Sequence, residues 1–304
     1  MAKGRRQAVR HGYVVIDKPA GWTSHDVVAR VRRLVGERRV GHAGTLDPAA
    51  TGVLPVAVGL ATRTVEYLAE SSKAYRAWIR FGVTTDSADR DGAVTSTVDV
   101  SALTLDAIAP ALDAFWGEIW QRPPMHSAIK VDGRRLYQLA RSGVEIEVEP
   151  RAVTIHVLRI VDWTSPVLCL DIDCSKGTYI RSLARDLGEA VGTGAHLADL
   201  VRTRSGPFGI DEAMSLDDLE RAMIELGWEE IAYPPDYVMR QFTRVALSLE
   251  QAIDWRHGKT IPLDGLVGVT PVIRAYDACG TWVGVGELDA ETGTVKPVKV
   301  IPVE

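Results

Sequence analysis

Cysteine is scarce in this 304-residue chain: three residues, Cys169, Cys174 and Cys279, an odd number at spacings that match no zinc or dithiol pattern. A disulfide framework and a structural zinc are thereby excluded, and buried reduced thiols are expected. No apolar run approaches the ~18 residues needed to cross a bilayer, and the basic start MAKGRRQAVRHGY lacks the apolar centre of a signal peptide, so a cytoplasmic, membrane-free protein is expected. Several chemistries are missing as well. Gly52 is followed by Val-Leu where a phosphate loop needs Lys-Ser/Thr, there is no GxSxG elbow, and the seven histidines are too scattered to form a metal set. The run from Ser87 to Gly92 has Ser at the first position of a calcium loop and Val98 at the place of the bidentate Glu, so it reads as a hairpin turn.

What is present is an ordinary globular composition, 46% hydrophobic and 25% charged, on a chain long enough for a large core and a smaller second domain. The net charge of −5 argues against a nucleic-acid partner until its distribution is considered. Residues 1–80 hold 14 Lys and Arg against 6 Asp and Glu, a balance of +8, whereas residues 205–240 hold 2 against 9, or −7. A basic N-terminal region in an acidic chain is the footprint of a polyanion binder, although a solvated helix face looks the same.

Periodicity predicts a strand at GYVVIDKP, then a helix N-capped by Thr23 with Asp26 three residues on, stopped by Gly36 and presenting Arg30, Arg32 and Arg33, with Arg38 and Arg39 after it, towards a glycine-rich loop. Strands are predicted at VLPVAV, KAYRAWIRFGV, GEIWQ, VEIEVEP, VTIHVLRIV and VLCLDIDCS. Helices are predicted around 61–68, 105–116, near RRLYQLARSG, and along TYIRSLARDLGEAVG. The irregular order favours an α+β fold with a largely antiparallel sheet over a doubly wound one. From Arg244 the style changes to one helix and short strands separated by Gly, Asp and Thr turns, which reads as a small β-barrel-like domain with the acidic stretch before it as hinge. The expected domains are 1–240, with a core over 12–210, and 241–304.

The most informative stretch is RRVGHAGTLDPAATGVLPVAVG. Its twelve residues from Gly41 to Gly52 add little to a core yet run straight into a buried strand. A turn explains the glycines and Asp-Pro; a loop mounting a reactive group explains them as well, and places His42 and Asp47. Tyr75 lies between Lys73 and Arg76, and Tyr179 with Arg181 in GTYIRSLARDLG. Each is weak alone. A base-modifying site needs the three types together: an aromatic face, a carboxylate, and an arginine to keep it ionised.

GHAGTLDPAATGVLPVAVG, KAYRAWIRFGVTTDSADRDG, GEIWQRPPMHSAIKVDGRRLYQLARSG, GTYIRSLARDLG and HLADLVRTRSGPFGI closely resemble, in order and spacing, segments of bacterial TruB-type tRNA pseudouridine synthases, from about Gly12 to Ile210. The resemblance implies isomerisation of uridine 55 in the tRNA T-loop, with Asp47 as nucleophile, Tyr75 stacked on the uracil and Arg181 paired with Asp47. It implies that His42 fills the space left by the flipped base, that Tyr179 and Leu200 complete the pocket, that Gly44 and Thr45 belong to the substrate loop, and that Lys18 braces that loop. The last sixty residues resemble a divergent PUA-like RNA-binding domain. The implied partner is the tRNA T-arm, bound by a monomer without metal or cofactor, since an isomerisation needs neither. His126 departs from the family's usual Tyr in PPMHSAIK. The rival readings are a tRNA-remodelling protein without chemistry and a hydrolytic nucleosidase; the first is opposed by the intact Asp47, Tyr75 and Arg181, the second by the lack of anything to position a water.

Overall fold

The computed structural model describes residues 10–124, 130–131, 134–135, 148–263 and 270–302. His126 and the helix predicted near RRLYQLARSG lie outside them, except for Arg134–Arg135, which form a two-residue strand.

The core is one mixed sheet in which β1 (Gly12–Lys18), β3 (Thr51–Val58), β12 (Ala195–Ser205), β4 (Lys73–Phe81), β11 (Val167–Cys174), β10 (Arg151–Thr164) and β7 (Gly117–Gln121) follow one another, with β2 (Val40–His42) added beside β3 and β13 (Phe208–Gly209) beside β12. Every pairing is antiparallel except β3 with β12, which makes the fold α+β as expected. β12 runs through the middle of this sheet, although its sequence gives no alternation. Two bulges, at Leu197/Asp199 and Arg202/Arg204, shift its pleat and scramble the period of two that marks a strand. Pro55 cannot donate to a ladder, and it falls in the gap on β3 between the residues paired with β12 and those paired with β2.

The helix α1 (Ser24–Val35) forms as its sequence dictates. Thr23 and Asp26 make a reciprocal capping box, Val27, Val28, Val31 and Val35 give the buried stripe, and Gly36 ends the helix at φ 67°. α2 (Val65–Ala69) and α3 (Leu105–Leu112) follow, the latter packing with α4 (Ile180–Val191) over the β4–β11–β12 face.

The acidic stretch is no hinge. Within it α5 (Leu216–Glu225) and α6 (Trp228–Ile231) bury Leu216, Leu219, Trp228 and Ile231 against α1 and β1. The main chain at Met214 and Tyr233 bonds β1 along its outer edge: Tyr13 and Tyr233 exchange two bonds of 2.8 Å, and Asp17 N–H donates to Met214 O at 2.9 Å. Most of its carboxylates lie on the outer faces of these two helices, whereas Asp236 is buried and pairs with Arg274. Arg30 reaches across to Glu220 at 2.6 Å and Arg33 donates to Ala29 O within its own helix, so these two do not reach towards the glycine-rich loop, whereas Arg32 donates to Val40 O directly before it.

The C-terminal residues form a curled half-barrel of five strands, β14 (Thr243–Ala246), β16 (Val272–Tyr276), β17 (Trp282–Asp289), β18 (Thr294–Val300) and β15 (Ile261–Pro262), in that order. Trp255 of α7 (Leu249–Arg256) plugs it, fully buried, with its indole N–H on Val283 O at 3.1 Å. The glycines of TWVGVGEL make room: a Cβ at Gly286 would lie 2.6 Å from that indole. Tyr276, Trp282, Val285 and Ile301 share a core with Tyr13, Val238 and Met239, so the sheet is docked on the rest of the chain. Cys169 and Cys174 are buried as expected; Cys279 is exposed, because it sits in a turn organised by Asp277, whose carboxylate accepts from the N–H groups of Cys279 and Thr281.

Gly52 is where β12 comes closest to β3. Its φ is +94° and a Cβ there would lie 2.3 Å from the Arg202 carbonyl oxygen. Gly52→Ala is expected to cost about 3 kcal/mol, from backbone strain plus the forced separation of the two strands. Urea unfolding monitored by circular dichroism checks this; a loss under about 1 kcal/mol would show that the pairing yields cheaply.

Candidate active site

The GTLDP loop leaves the sheet at His42 and returns at Thr51, and between them it is held from beneath at several points. Lys18, with no exposed surface, donates from Nζ to the carbonyls of Pro19 (3.0 Å), Trp22 (2.6 Å) and Pro48 (3.0 Å). Gly21 N–H also reaches Pro48 O at 2.8 Å, the Ser24 hydroxyl accepts from Leu46 N–H at 3.0 Å, and Arg202 donates to Gly44 O at 3.0 Å. Burial pulls the Lys18 ammonium down to about 8 against the opposing pull of Asp47.

Asp47 thus projects from a fixed backbone, and 43% of its side-chain surface opens to the cleft. Arg181, in the first turn of α4, meets it with Nε at 3.0 Å from Oδ2 and Nη2 at 3.4 Å from Oδ1, a two-pronged contact. The same guanidinium turns Nη1 to Asp89 at 3.3 Å. Asp89 comes from the turn between β5 (Val83–Thr85) and β6 (Val94–Thr97), where it also accepts from the Ser87 hydroxyl at 2.5 Å. Withdrawal from water pushes the Asp47 carboxyl up, Arg181 pulls it down, and Asp89 pushes it up again.

The start of α4 is set by Gln121 of β7, whose amide brackets the Tyr179 main chain, accepting from its N–H at 2.7 Å and donating to its carbonyl at 3.0 Å. On β4, Tyr75 is the cross-strand neighbour of Arg202, and burial holds its phenol above the ordinary value against the pull of that guanidinium. Arg202 is 1% exposed and also donates Nε to Val53 O at 2.7 Å.

A cleft of about 300 Å³ gathers these groups. Gly44, Thr45, Asp47, Tyr75, Tyr179, Arg181 and Leu200 line it, together with Lys73 and Arg202. His42 and Lys18 do not. His42 sits at the end of β2, edge-on to His25 at 5.7 Å, and burial first, then the charges of His25 and Arg202, depress its imidazole to about 4, so it is neutral at pH 7. Its buried Nδ1 has no partner among the described residues.

Asp89, Gln121, Lys73 and Arg202 were not singled out from the sequence. Asp89 stands in TTDSADRDG, a run that looks like any polar turn, and Arg202 in a strand whose pattern the bulges obscure. Lys73, 7% exposed and pulled down to about 8 by burial, donates to the carbonyls of Ala69 and Ser71. Among the described residues no three His, Cys, Asp or Glu side chains could hold a metal ion. The arrangement is suited to an ionised carboxylate attacking an electron-poor carbon beside an aromatic face.

The mixed sheet, its aspartate loop and α4 thus bring Asp47, Arg181 and Tyr75 into one cleft. Solved structures agree on the fold: a Cbf5–Nop10–Gar1 complex superimposes with a TM-score of 0.72 at 28% identity, covering 96% of this chain and 84% of that one, and an H/ACA RNP bound to a substrate RNA containing 2′-deoxyuridine with a TM-score of 0.74 at 26% identity, covering 96% and 85%. Residues 32–180 match the N-terminal domain model of the TruB family pseudouridylate synthases, and residues 181–253 match the tRNA pseudouridylate synthase B C-terminal domain. Similar proteins include the tRNA pseudouridine synthase B of Gloeobacter violaceus, 45% identical over 96% of this chain and 99% of the relative, and that of Symbiobacterium thermophilum, 49% identical over 85% and 86%. The chain belongs to the TruB family.

Removing the Arg181 cation removes the largest influence that lowers the Asp47 pKa. In Arg181→Met the carboxyl therefore titrates at higher pH, less of it is ionised at a given acidic pH, and the acidic limb of single-turnover rate against pH should move upward. Arg181→Lys should restore the limb only in part, since an ammonium lacks the planar fork. An unmoved limb together with a large loss of RNA affinity would make Arg181 a phosphate contact instead.

Proposed function

We propose that this protein converts uridine 55 in the T-loop of tRNA to pseudouridine, with Asp47 as nucleophile. The observation that carries the proposal is the two-pronged contact of Arg181 with Asp47 at the cleft opening, supported by the name its relatives bear. In the reaction the N1–C1′ bond breaks, the base turns, C5 bonds to C1′, the C5 proton leaves and N1 gains one. Atoms and electrons balance within the nucleotide, so the chemistry asks for a placed carboxylate and exclusion of water rather than a cofactor or metal.

In this reading Tyr75 stacks on the flipped uracil and helps remove the C5 proton, Tyr179 and Leu200 close the base pocket, and Gly44 and Thr45 let the loop approach the ribose. His42, neutral, takes the place of the extruded base in the RNA stack, and Lys18 braces the loop without touching substrate. Residues 1–240 act as the catalytic domain and 241–304 as a PUA-like RNA-binding domain, in a cytoplasmic monomer that binds the T-arm.

Asp47→Asn keeps the shape and the RNA contacts while removing the nucleophile. Conversion of unmodified tRNA, mapped by chemical derivatisation of pseudouridine, should fall below about a hundredth of wild type with affinity held within about threefold. Activity above that level would sink the assignment, and a remodelling protein without chemistry would not register the change.

Phosphate contacts are expected from Arg38 and Arg39, which stand exposed just before β2. Replacing either with Gln should weaken tRNA binding and flatten the slope of log affinity against log salt by about one unit without changing which uridine is modified. Arg30→Gln should leave that slope nearly unaltered, because Arg30 already pairs with Glu220. Equal slopes in all three variants would mean that this basic face is solvated surface.

A further inference from the structure

A second cavity, about 860 Å³ against about 300 Å³ for the catalytic cleft, opens where the C-terminal sheet meets the rest of the chain. Its apolar walls carry four arginines. Two are committed, Arg274 to Asp236 at 2.9 Å and Arg256 to Asp277 at 3.4 Å. Arg240 and Arg244 meet no carboxylate among the described residues. Each lies over a tyrosine ring instead, Arg244 at 4.2 Å from the centroid of Tyr276 and Arg240 at 4.9 Å from that of Tyr237. Stacking orients a guanidinium while leaving its N–H edge and its outer face open.

Two unmet demands therefore line one space: guanidinium edges that suit an anion and a guanidinium face that suits a flat ring. Inorganic phosphate meets the first alone. A nucleoside phosphate meets both, and arginine planes are a common stacking surface for bases.

We propose that this cavity is a second, non-catalytic site for one nucleotide unit, with its phosphate on Arg240 and Arg244 and its base against the arginine face. The unit is either a free nucleotide or one residue of a single-stranded RNA. The site does not depend on the role given to Asp47.

The test is calorimetric titration of the full chain with AMP, UMP, a single-stranded trinucleotide and inorganic phosphate. A nucleotide or the trinucleotide should bind about tenfold or more tighter than phosphate. The Arg240→Gln/Arg244→Gln double variant should lose about tenfold or more of that affinity, and Arg244→Lys, which keeps the charge but loses the planar face, about threefold or more. Thermal melting confirms that the variants fold, as exposed positions should allow. Binding of AMP or UMP identifies a free nucleotide as sufficient, and binding of the trinucleotide alone identifies an RNA residue; both support the site. Phosphate binding as tightly as the nucleotides, nucleotide affinity unchanged in both variants, or no binding by any probe would overturn it.

Discussion

A guanidinium sealed from water at Arg202 dictates how the elements that line the cleft converge. A buried cation is tolerated only where its donors are matched by acceptors in good geometry. Here the acceptors come from two separate segments, Val53 O of β3 and Gly44 O of the aspartate loop, and the Tyr75 phenol of β4 stands opposite Arg202 on the neighbouring strand. The strand that hosts Arg202, the strand that ends the loop, and the strand that carries the aromatic ring must therefore meet at one point. Gly44 and Gly52 follow from the same constraint. The first lies at φ +76° with a hypothetical Cβ 3.2 Å from the Arg202 guanidinium, and the second lies against the Arg202 main chain. Small residues in this loop thus have a reason beyond mobility: backbone must approach a buried charge closely on both sides.

The second arginine solves a different problem. In the role proposed for it, Asp47 must remain charged in a partly dehydrated cleft, yet a carboxylate clamped too firmly by a cation loses nucleophilicity. Arg181 is divided between Asp47 at 3.0 Å and Asp89 at 3.3 Å, so its field is shared rather than spent on one partner. Asp89 raises the Asp47 pKa directly while it holds the arginine in place. The outcome is a carboxyl that stands above the ordinary value because desolvation outweighs the cation, with Arg181 the largest influence in favour of the ionised form. Lys18 adds positive field from beneath, but its three protons are occupied by carbonyls and it donates none to Asp47.

Most of the scaffold was legible in the sequence, because strong local rules act alone there. Thr23 and Asp26 announce α1, Gly36 ends it, and KAYRAWIRF and VLCLDIDC alternate as half-buried strands must. The aspartate loop was legible from what it lacks, since a run with almost no large apolar side chains between buried strands has little packing role beyond Leu46. What stayed hidden depends on partners distant in the chain. β12 is central, yet its two bulges break the alternation that would reveal it. Asp89 looks like an ordinary turn residue until the hairpin brings it 92 positions along the chain to Arg181. The segment taken for a hinge shows the same limit from the other side. Its charge was conspicuous in the sequence, whereas Leu216, Leu219, Trp228 and Ile231, which bury it, are spaced inconspicuously among nine acidic residues.

Charge segregation also means something different in three dimensions than along the chain. The +8 of residues 1–80 and the −7 of residues 205–240 are not two independent surfaces, because α1 and α5 pack together and Arg30 pairs with Glu220 between them. Part of each excess is cancelled at that contact, and neither the net charge of −5 nor the segmental sums identify an RNA-facing surface. The informative quantity is the arginine left without a carboxylate after packing. Arg240 and Arg244 meet that description beside Tyr237 and Tyr276, inside or at the edge of the acidic part of the chain. A cation kept on an aromatic face rather than paired retains its capacity for an anion while the ring limits its loss of entropy on binding. An acidic protein can therefore handle a polyanion through a few arginines whose surroundings prevent internal neutralisation, without any large basic patch.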